Sequence, residues 1–325
     1  MREAMASAEV GDDVYGEDPS VCRLQEYAAQ LLGKEAALFV PSGTMANLLA
    51  FLSQTHPGET VILCEDAHPF QYEAANLAVF GGLLTRTIPD PLGKLSPEMI
   101  AGKICQEDDP HRSQTTIVSI ENTTNRGGGA CYTPEETAAI AALCRQHGMR
   151  LHCDGARLFN AAVALDADPA ELARPCDSVS FCLSKALGAP VGSLLCTSHD
   201  VIARALRFRK MLGGGMRQAG ILAAAGLYAL QHHIDGLNGD HHRARSFRDA
   251  LEAEGVTFSL PSPTNILYIE TPNAPQTQAR LAAADVLVLA VGEDRLRVVF
   301  HRDIDDAQTA QAIEIFTRVL TGREV

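Results

Sequence analysis

Nowhere in the 325-residue chain do roughly 18 uncharged apolar residues follow one another, so no membrane-spanning helix is expected. The opening MREAMASAEVGDDVYGEDPS carries acidic residues where a secretion signal would carry an apolar run. CxxC pairs are absent too. The nine cysteines (22, 64, 105, 131, 144, 153, 176, 182 and 196) stand singly, mostly inside apolar runs such as VILC, LHC and SLLC. That pattern predicts buried, reduced thiols in a cytoplasmic protein, with neither a metal cluster nor a disulfide frame. Basic charge is short as well. Against 40 acidic residues stand 27 basic ones, net −13, which opposes nucleic acid or an anionic membrane surface as partner and leaves small molecules. Only five of the 27 are lysines (34, 94, 103, 185 and 210), so chemistry that needs a deprotonatable amine has five candidates.

The composition that remains, 46% hydrophobic and 21% charged with no low-complexity tract or internal repeat, is that of a globular chain able to bury a large core. From about residue 20 to 215, short apolar or β-branched runs alternate with segments of helical period. The runs are AALFV (36–40), TVILC (60–64), LLTRTI (83–88), TTIVSI (115–120), RLHCD (150–154), SVSFC (178–182) and GSLLC (192–196). Between them lies, for example, TPEETAAIAALCRQHG, with Thr133 placed to cap, Pro134 at the first helical position and Gly148 after the end. The alternation predicts an α/β fold with a large, mostly parallel seven-stranded sheet covered by helices. After Gly213-Gly214-Gly215 the pattern changes to helices at about 217–236 and 240–254. Strands VTFSL, NILYIE, VLVLA and LRVVF follow, with helices at 276–284 and about 304–321. A smaller C-terminal α/β domain is therefore expected, 1–237 forming the large domain and 238–325 the small one, divided at GLNGD.

Ligands of open α/β sheets sit at the carboxyl ends of the strands, so the residues directly after each run are the candidates. After AALFV, Ser42-Gly43-Thr44 opens a helix and offers backbone N–H groups and hydroxyls to a phosphate, although a plain helix cap reads the same way. RLHC is followed by Asp154, a carboxylate that reads as buried and needs a partner. It could pair with Arg157, cap the next helix, or hold a protonated pyridine nitrogen. Lys185 follows SVSFC among small and apolar neighbours, where desolvation favours the neutral amine that an imine-forming nucleophile requires. Loops after TVILC and TTIVSI carry His68 and Glu121-Asn122-Thr123-Thr124-Asn125. A phosphate cradle, a pyridine-binding aspartate and a desolvated lysine, each at a strand end, are together what pyridoxal 5′-phosphate needs. A nicotinamide site is disfavoured, because the glycine run Gly127 to Gly129 lacks GxGxxG spacing.

With these residues in place, GDDVYGEDP, LFVPSGTMANLLA, EDAH, ENTxN, DGARLFNA, LSKxLGAPVGS, KMLGGGMRQAG and LRVVFH resemble the threonine aldolase family of fold-type-I pyridoxal phosphate enzymes along essentially the whole chain. The resemblance implies that Lys185 forms the imine, Asp154 pairs with the pyridine nitrogen and His68 stacks on the ring. Ser42, Gly43 and Thr44 would hold the phosphate, and Arg157 and Arg297 the substrate carboxylate. Arg217 would reach a neighbouring subunit's phosphate in a homotetramer with shared sites. The reaction implied is retro-aldol cleavage of threonine, allo-threonine or aryl analogues such as phenylserine to glycine and an aldehyde, with no metal.

The sequence departs from the family pattern at two points. Members usually begin with a further segment bearing a Ser-Asp-Thr motif, whereas this chain starts at Met1-Arg2-Glu3, so that its start is placed late or one carboxylate contact is missing. Thr124 stands where the family commonly has histidine. A threonine hydroxyl cannot act as a base near neutral pH, which leaves His68 or a water for the β-hydroxyl proton and predicts room beside Cβ, weak threo/erythro discrimination and good aryl turnover. The same scaffold also hosts racemisation, transamination and β-elimination, and a weakly active cofactor-binding protein is a third reading.

Overall fold

The computed structural model describes residues 1–105 and 109–322. Seven strands form the main sheet: β1 (Ala36–Val40), β2 (Thr60–Cys64), β3 (Leu84–Ile88), β4 (Thr115–Glu121), β5 (Arg150–Asp154), β6 (Ser178–Cys182) and β7 (Ser193–Thr197). Their order is β1-β7-β6-β5-β4-β2-β3, with β7 antiparallel to both neighbours and the other pairings parallel. Burial explains why the runs are continuous rather than alternating: every residue of β2, β6 and β7 is buried, as a strand covered on both faces requires. β7 is reversed because only ten residues separate it from β6, too few for the crossover a parallel return needs.

Helix ends follow the local chemistry. Thr133 Oγ1 accepts from Glu136 N at 3.2 Å while Glu136 Oε2 accepts from Thr133 N at 2.9 Å, a reciprocal cap with Pro134 at the first turn. Asp18 caps the Pro19–Leu31 helix through Ser20 and Val21, and its other oxygen accepts from Gly220 N at 2.8 Å. It thereby ties the GDDVYGEDP segment to the start of the Gly220–His232 helix. Asp13 in the same segment pairs with buried Arg209 at 2.9 Å, and Arg209 also donates to Phe39 O. The Gly220–His232 helix, rich in alanine, packs closely enough that a Cβ at Gly226 would meet Leu183 at 2.6 Å; this seats the chain two residues before Lys185.

The C-terminal part has a three-stranded antiparallel sheet, β8 (Ile266–Glu270), β9 (Leu289–Val291) and β10 (Arg295–Val299), ordered β8-β10-β9. Helices Leu237–Ala253, Ala274–Ala282 and Asp306–Thr321 accompany it. One buried apolar cluster runs from Val21 to Leu237, and another gathers Ala244, Phe247, Leu267, Phe300 and Phe316. GLNGD opens the Leu237–Ala253 helix. VTFSL is not a strand: within it only Phe258 bridges, to Ile269, and Pro261 and Pro263 follow directly, depriving the chain of two donors that a longer ladder would use. No described helix is long and apolar enough to cross a membrane, and all nine cysteines are free.

Candidate active site

The carboxyl edge of the main sheet assembles the loops that the sequence singled out. Ser42 caps the Gly43–Gln54 helix, accepting from Met45 N at 3.2 Å, which leaves the first-turn N–H groups of Gly43 and Thr44 without intrahelical partners. Glycine is required at 43, since a Cβ there would lie 2.8 Å from Cys182 Sγ. Beside it the buried hydroxyl of Ser193 has no partner among the described residues. An orphaned hydroxyl and free N–H groups at a helix N-terminus form an anion cradle.

Asp154 ends β5 at 3% exposure. Its Oδ1 accepts from Ala156 N at 3.0 Å and its Oδ2 from Asn47 Nδ2 at 2.8 Å. Among the described residues both donors are neutral, and no ion pair with Arg157 is formed. Asn47 also donates to Glu73 Oε1 at 2.9 Å, and the same oxygen meets His68 Nδ1 at 2.9 Å. Ligand atoms of His68, Glu73 and Asp154 all lie within 4.8 Å of one another. The hydrogen bond to Glu73 raises the His68 pKa against the opposing effect of burial, and Asp154 adds to the rise. Because Nδ1 is engaged, Nε2 of this half-exposed ring is the free nitrogen.

Glu121 ends β4 in register with Asp154. Burial and the Asp154 charge push its carboxyl up to about 7, although Asn125 N donates to it at 3.0 Å. Arg297, on β10, donates from Nη2 to Asn125 Oδ1 at 2.7 Å, and its buried Nε has no partner among the described residues. Arg157 precedes the Leu158–Leu165 helix; burial and the neighbouring Arg297 charge lower its pKa. The Glu121 and Asp154 carboxylates oppose that lowering.

Lys185 follows β6 and borders a cavity of about 380 Å³ with His233, His301 and Arg302. It is close enough to His68 and Glu121 to act on both electrostatically. Burial lowers the pKa of another lysine, Lys34, which stands before β1 and donates to Cys176 O at the amino-terminal edge of the sheet. Its place after β6, at the carboxyl edge, separates Lys185 from it.

Two predicted residues make no side-chain hydrogen bond to this group among the described residues. Thr124 is 1% exposed, and a Cβ added at Gly93 would stand 3.2 Å from its Cβ; its hydroxyl has no partner among the described residues. Arg217 is exposed, bonded to Asp12 at 2.7 Å with the Tyr15 ring 6.0 Å away. Sequence reasoning missed Asn47, Glu73 and Ser193. Asn47 lies one turn beyond Thr44 inside the Gly43–Gln54 helix, where periodicity reads it as core, and Glu73 lies just after the His68–Gln71 helix.

Residues 1–273 match the family described as beta-eliminating lyase. Over 314 residues the chain is 44% identical to the low specificity L-threonine aldolase of Escherichia coli O157:H7, covering 96% of this chain and 92% of that protein. The structure resembles that of Leishmania major threonine aldolase with a TM-score of 0.86 and 25% identity, over 98% of this chain and 95% of that one. A serine palmitoyltransferase solved with pyridoxal phosphate shares the fold at a TM-score of 0.76 and 18% identity, over 99% and 82% of the two chains.

Proposed function

Because the chain belongs to the beta-eliminating lyase family and, within it, to the threonine aldolases, we propose that it cleaves the Cα–Cβ bond of L-threonine to give glycine and an aldehyde. It is a carbon–carbon lyase of fold type I, dependent on pyridoxal 5′-phosphate. The residues fit that cofactor. The cradle at Gly43, Thr44 and Ser193 suits its phosphate, Asp154 offers a carboxylate with no cation of its own, and Lys185 would hold the aldehyde carbon. When bound, the cofactor supplies the sink for the electron pair released as Cα–Cβ breaks.

The observation that carries the reading is Asp154 itself, buried, held by neutral donors and clustered with His68. Arg157 and Arg297, which repel each other in the free chain, would clamp the substrate carboxylate and so fix the torsion about N–Cα that sets Cα–Cβ perpendicular to the ring. His68 Nε2 would take the β-hydroxyl proton, since Nδ1 is committed to Glu73. Both threonine diastereomers and aryl analogues are within this scope, as Thr124 stands where a histidine could otherwise select one β-configuration. Arg217, exposed in the single chain, would serve a neighbouring subunit's phosphate in a homotetramer, and the nine free cysteines suit the cytoplasm. Residues 1–237 and 238–325 form the two domains of this reading, each with its own apolar cluster.

The test is to incubate the cofactor-loaded protein separately with L-threonine, L-allo-threonine and phenylserine and to quantify products. Glycine and aldehyde in equal amounts are expected. A keto acid or the opposite enantiomer as main product would overturn the assignment.

A further inference from the structure

Behind Asp154 a chain of hydrogen bonds runs in one direction. Gln54 Nε2 donates to Ser178 Oγ at 2.8 Å, so the Ser178 hydroxyl turns its own proton toward His152 Nδ1, 2.9 Å away. His152 is fully buried, and burial lowers its pKa to about 4, so the ring is neutral; we assign its single proton to Nε2, where an acceptor oxygen stands. That proton faces Asn47 Oδ1 at 3.2 Å, and Ser180 Oγ supplies a second contact to the same oxygen at 2.6 Å. With the oxygen end of the amide fixed from one side, both Asn47 protons point the other way, one to Asp154 Oδ2 and one to Glu73 Oε1. Every donor and acceptor of this 1%-exposed amide is used. Serial donation polarises each successive bond, and both carboxylates accept from the one amide.

We infer that Asn47, oriented by His152, is the positioning residue that couples the Asp154 carboxylate to the Glu73–His68 pair, setting the proton affinity of His68. The inference rests on the aldolase reading for the roles of Asp154 and His68, but not for the coupling itself. Without the amide, the Glu73 and Asp154 oxygens face each other unscreened within the 4.8 Å cluster. The charged groups facing His68 are Glu73, Asp154 and Lys185, and Glu121 stands beside Asp154.

The test uses the full-length chain, with and without cofactor, carrying ¹³C-labelled histidine. Asn47→Asp removes two neutral donors and adds a negative charge, so His68 should titrate about one unit higher, a tenfold change in proton affinity. The acid limb of kcat/KM should move the same way, with KM changed less than kcat. A His68 titration unchanged by Asn47→Asp overturns the inference even if threonine is cleaved. Absence of threonine cleavage in the unmodified protein would sink the aldolase reading alone, because the titration needs no turnover. Should Asn47→Asp fail to fold, His152→Leu and His152→Gln replace it. Glutamine can still present an N–H to Asn47, so the leucine variant should move the His68 titration at least three times further than the glutamine variant. Equal titrations in the two would refute the role of His152.

Discussion

Glu121→Gln should stabilise the cofactor-free protein, and by an amount that grows with pH. The carboxyl is buried beside Asp154, and these two causes lift its pKa from the ordinary 4.5 to about 7. Protons are therefore bound more tightly in the folded state than in the unfolded one. Stability falls wherever the native state binds more protons, which for this group is the window between 4.5 and 7. Below that window the group is protonated in both states and costs nothing; above it the full penalty applies. Taking about 1.36 kcal/mol per unit, the penalty is about 1 kcal/mol at pH 5 and about 3 kcal/mol at pH 8. Glutamine escapes it while its carbonyl still accepts from Asn125 N. Relative to the unmodified chain, the variant should thus gain about 2.5 kcal/mol more at pH 8 than at pH 5, a difference of about 4 °C in melting temperature for a chain of this length. Thermal unfolding of both proteins at the two pH values measures this. A stabilisation of the same size at both would show that Glu121 titrates normally and that the Asp154 charge does not reach it.

Lys185→Ala should abolish turnover together with the visible absorption band of the bound cofactor; a borohydride-reducible adduct persisting in this variant would move the role to another lysine. Asp154→Asn should retain some cofactor but lose about 3 kcal/mol of transition-state stabilisation, roughly a hundredfold in kcat; a near-native rate would reduce Asp154 to a turn residue bonded to Ala156. In Glu73→Gln the charge that raises the His68 pKa is gone, so the acid limb of kcat/KM should shift to lower pH; a limb that stays in place would remove His68 as the base. Thr124→His, at a 1%-exposed position against Gly93, should lower the melting temperature through overpacking worth about 1–3 kcal/mol. Rates on threonine, allo-threonine and phenylserine that change their ratios in this variant would instead place residue 124 beside the β-substituent.

Much of the fold was legible because buried strands leave a strong trace. All seven apolar runs of the main sheet became strands, their ends displaced by one residue at β3, β4 and β7. At β7 the shift has a physical source: Gly192 adopts φ +106°, outside the strand, and a Cβ there would meet Phe39 at 2.5 Å. In the C-terminal part the trace is weaker. VLVLA predicts a strand over 286–290, but pairing begins only at Leu289, since Val286 closes the turn after the Ala274–Ala282 helix by bonding back to Leu281 O. VTFSL fails for the same class of reason: its β-branched and aromatic residues suit a strand, yet the prolines after it end the pairing at one bridge.

The site divides along a different line. The candidate site residues lie at or soon after strand ends, so an argument from strand ends reaches Ser42, His68, Glu121, Asp154 and Lys185 without any knowledge of contacts. The groups that set their chemistry come from helix interiors and strand faces, where periodicity marks them only as core. Asn47 and His152 occupy positions that an apolar residue would fill equally well by pattern, and nothing local distinguishes a buried amide with four partners from a misfit. The lysines show how little such a pattern says of surroundings. Burial lowers the Lys34 pKa, and that amine donates to the Cys176 carbonyl at the amino-terminal edge of the sheet, whereas Lys185 follows β6 at the carboxyl edge. Topology therefore separates the two amines. The sequence supplies that topology through the alternation of runs, while the environment of each side chain is fixed only by what folds against it.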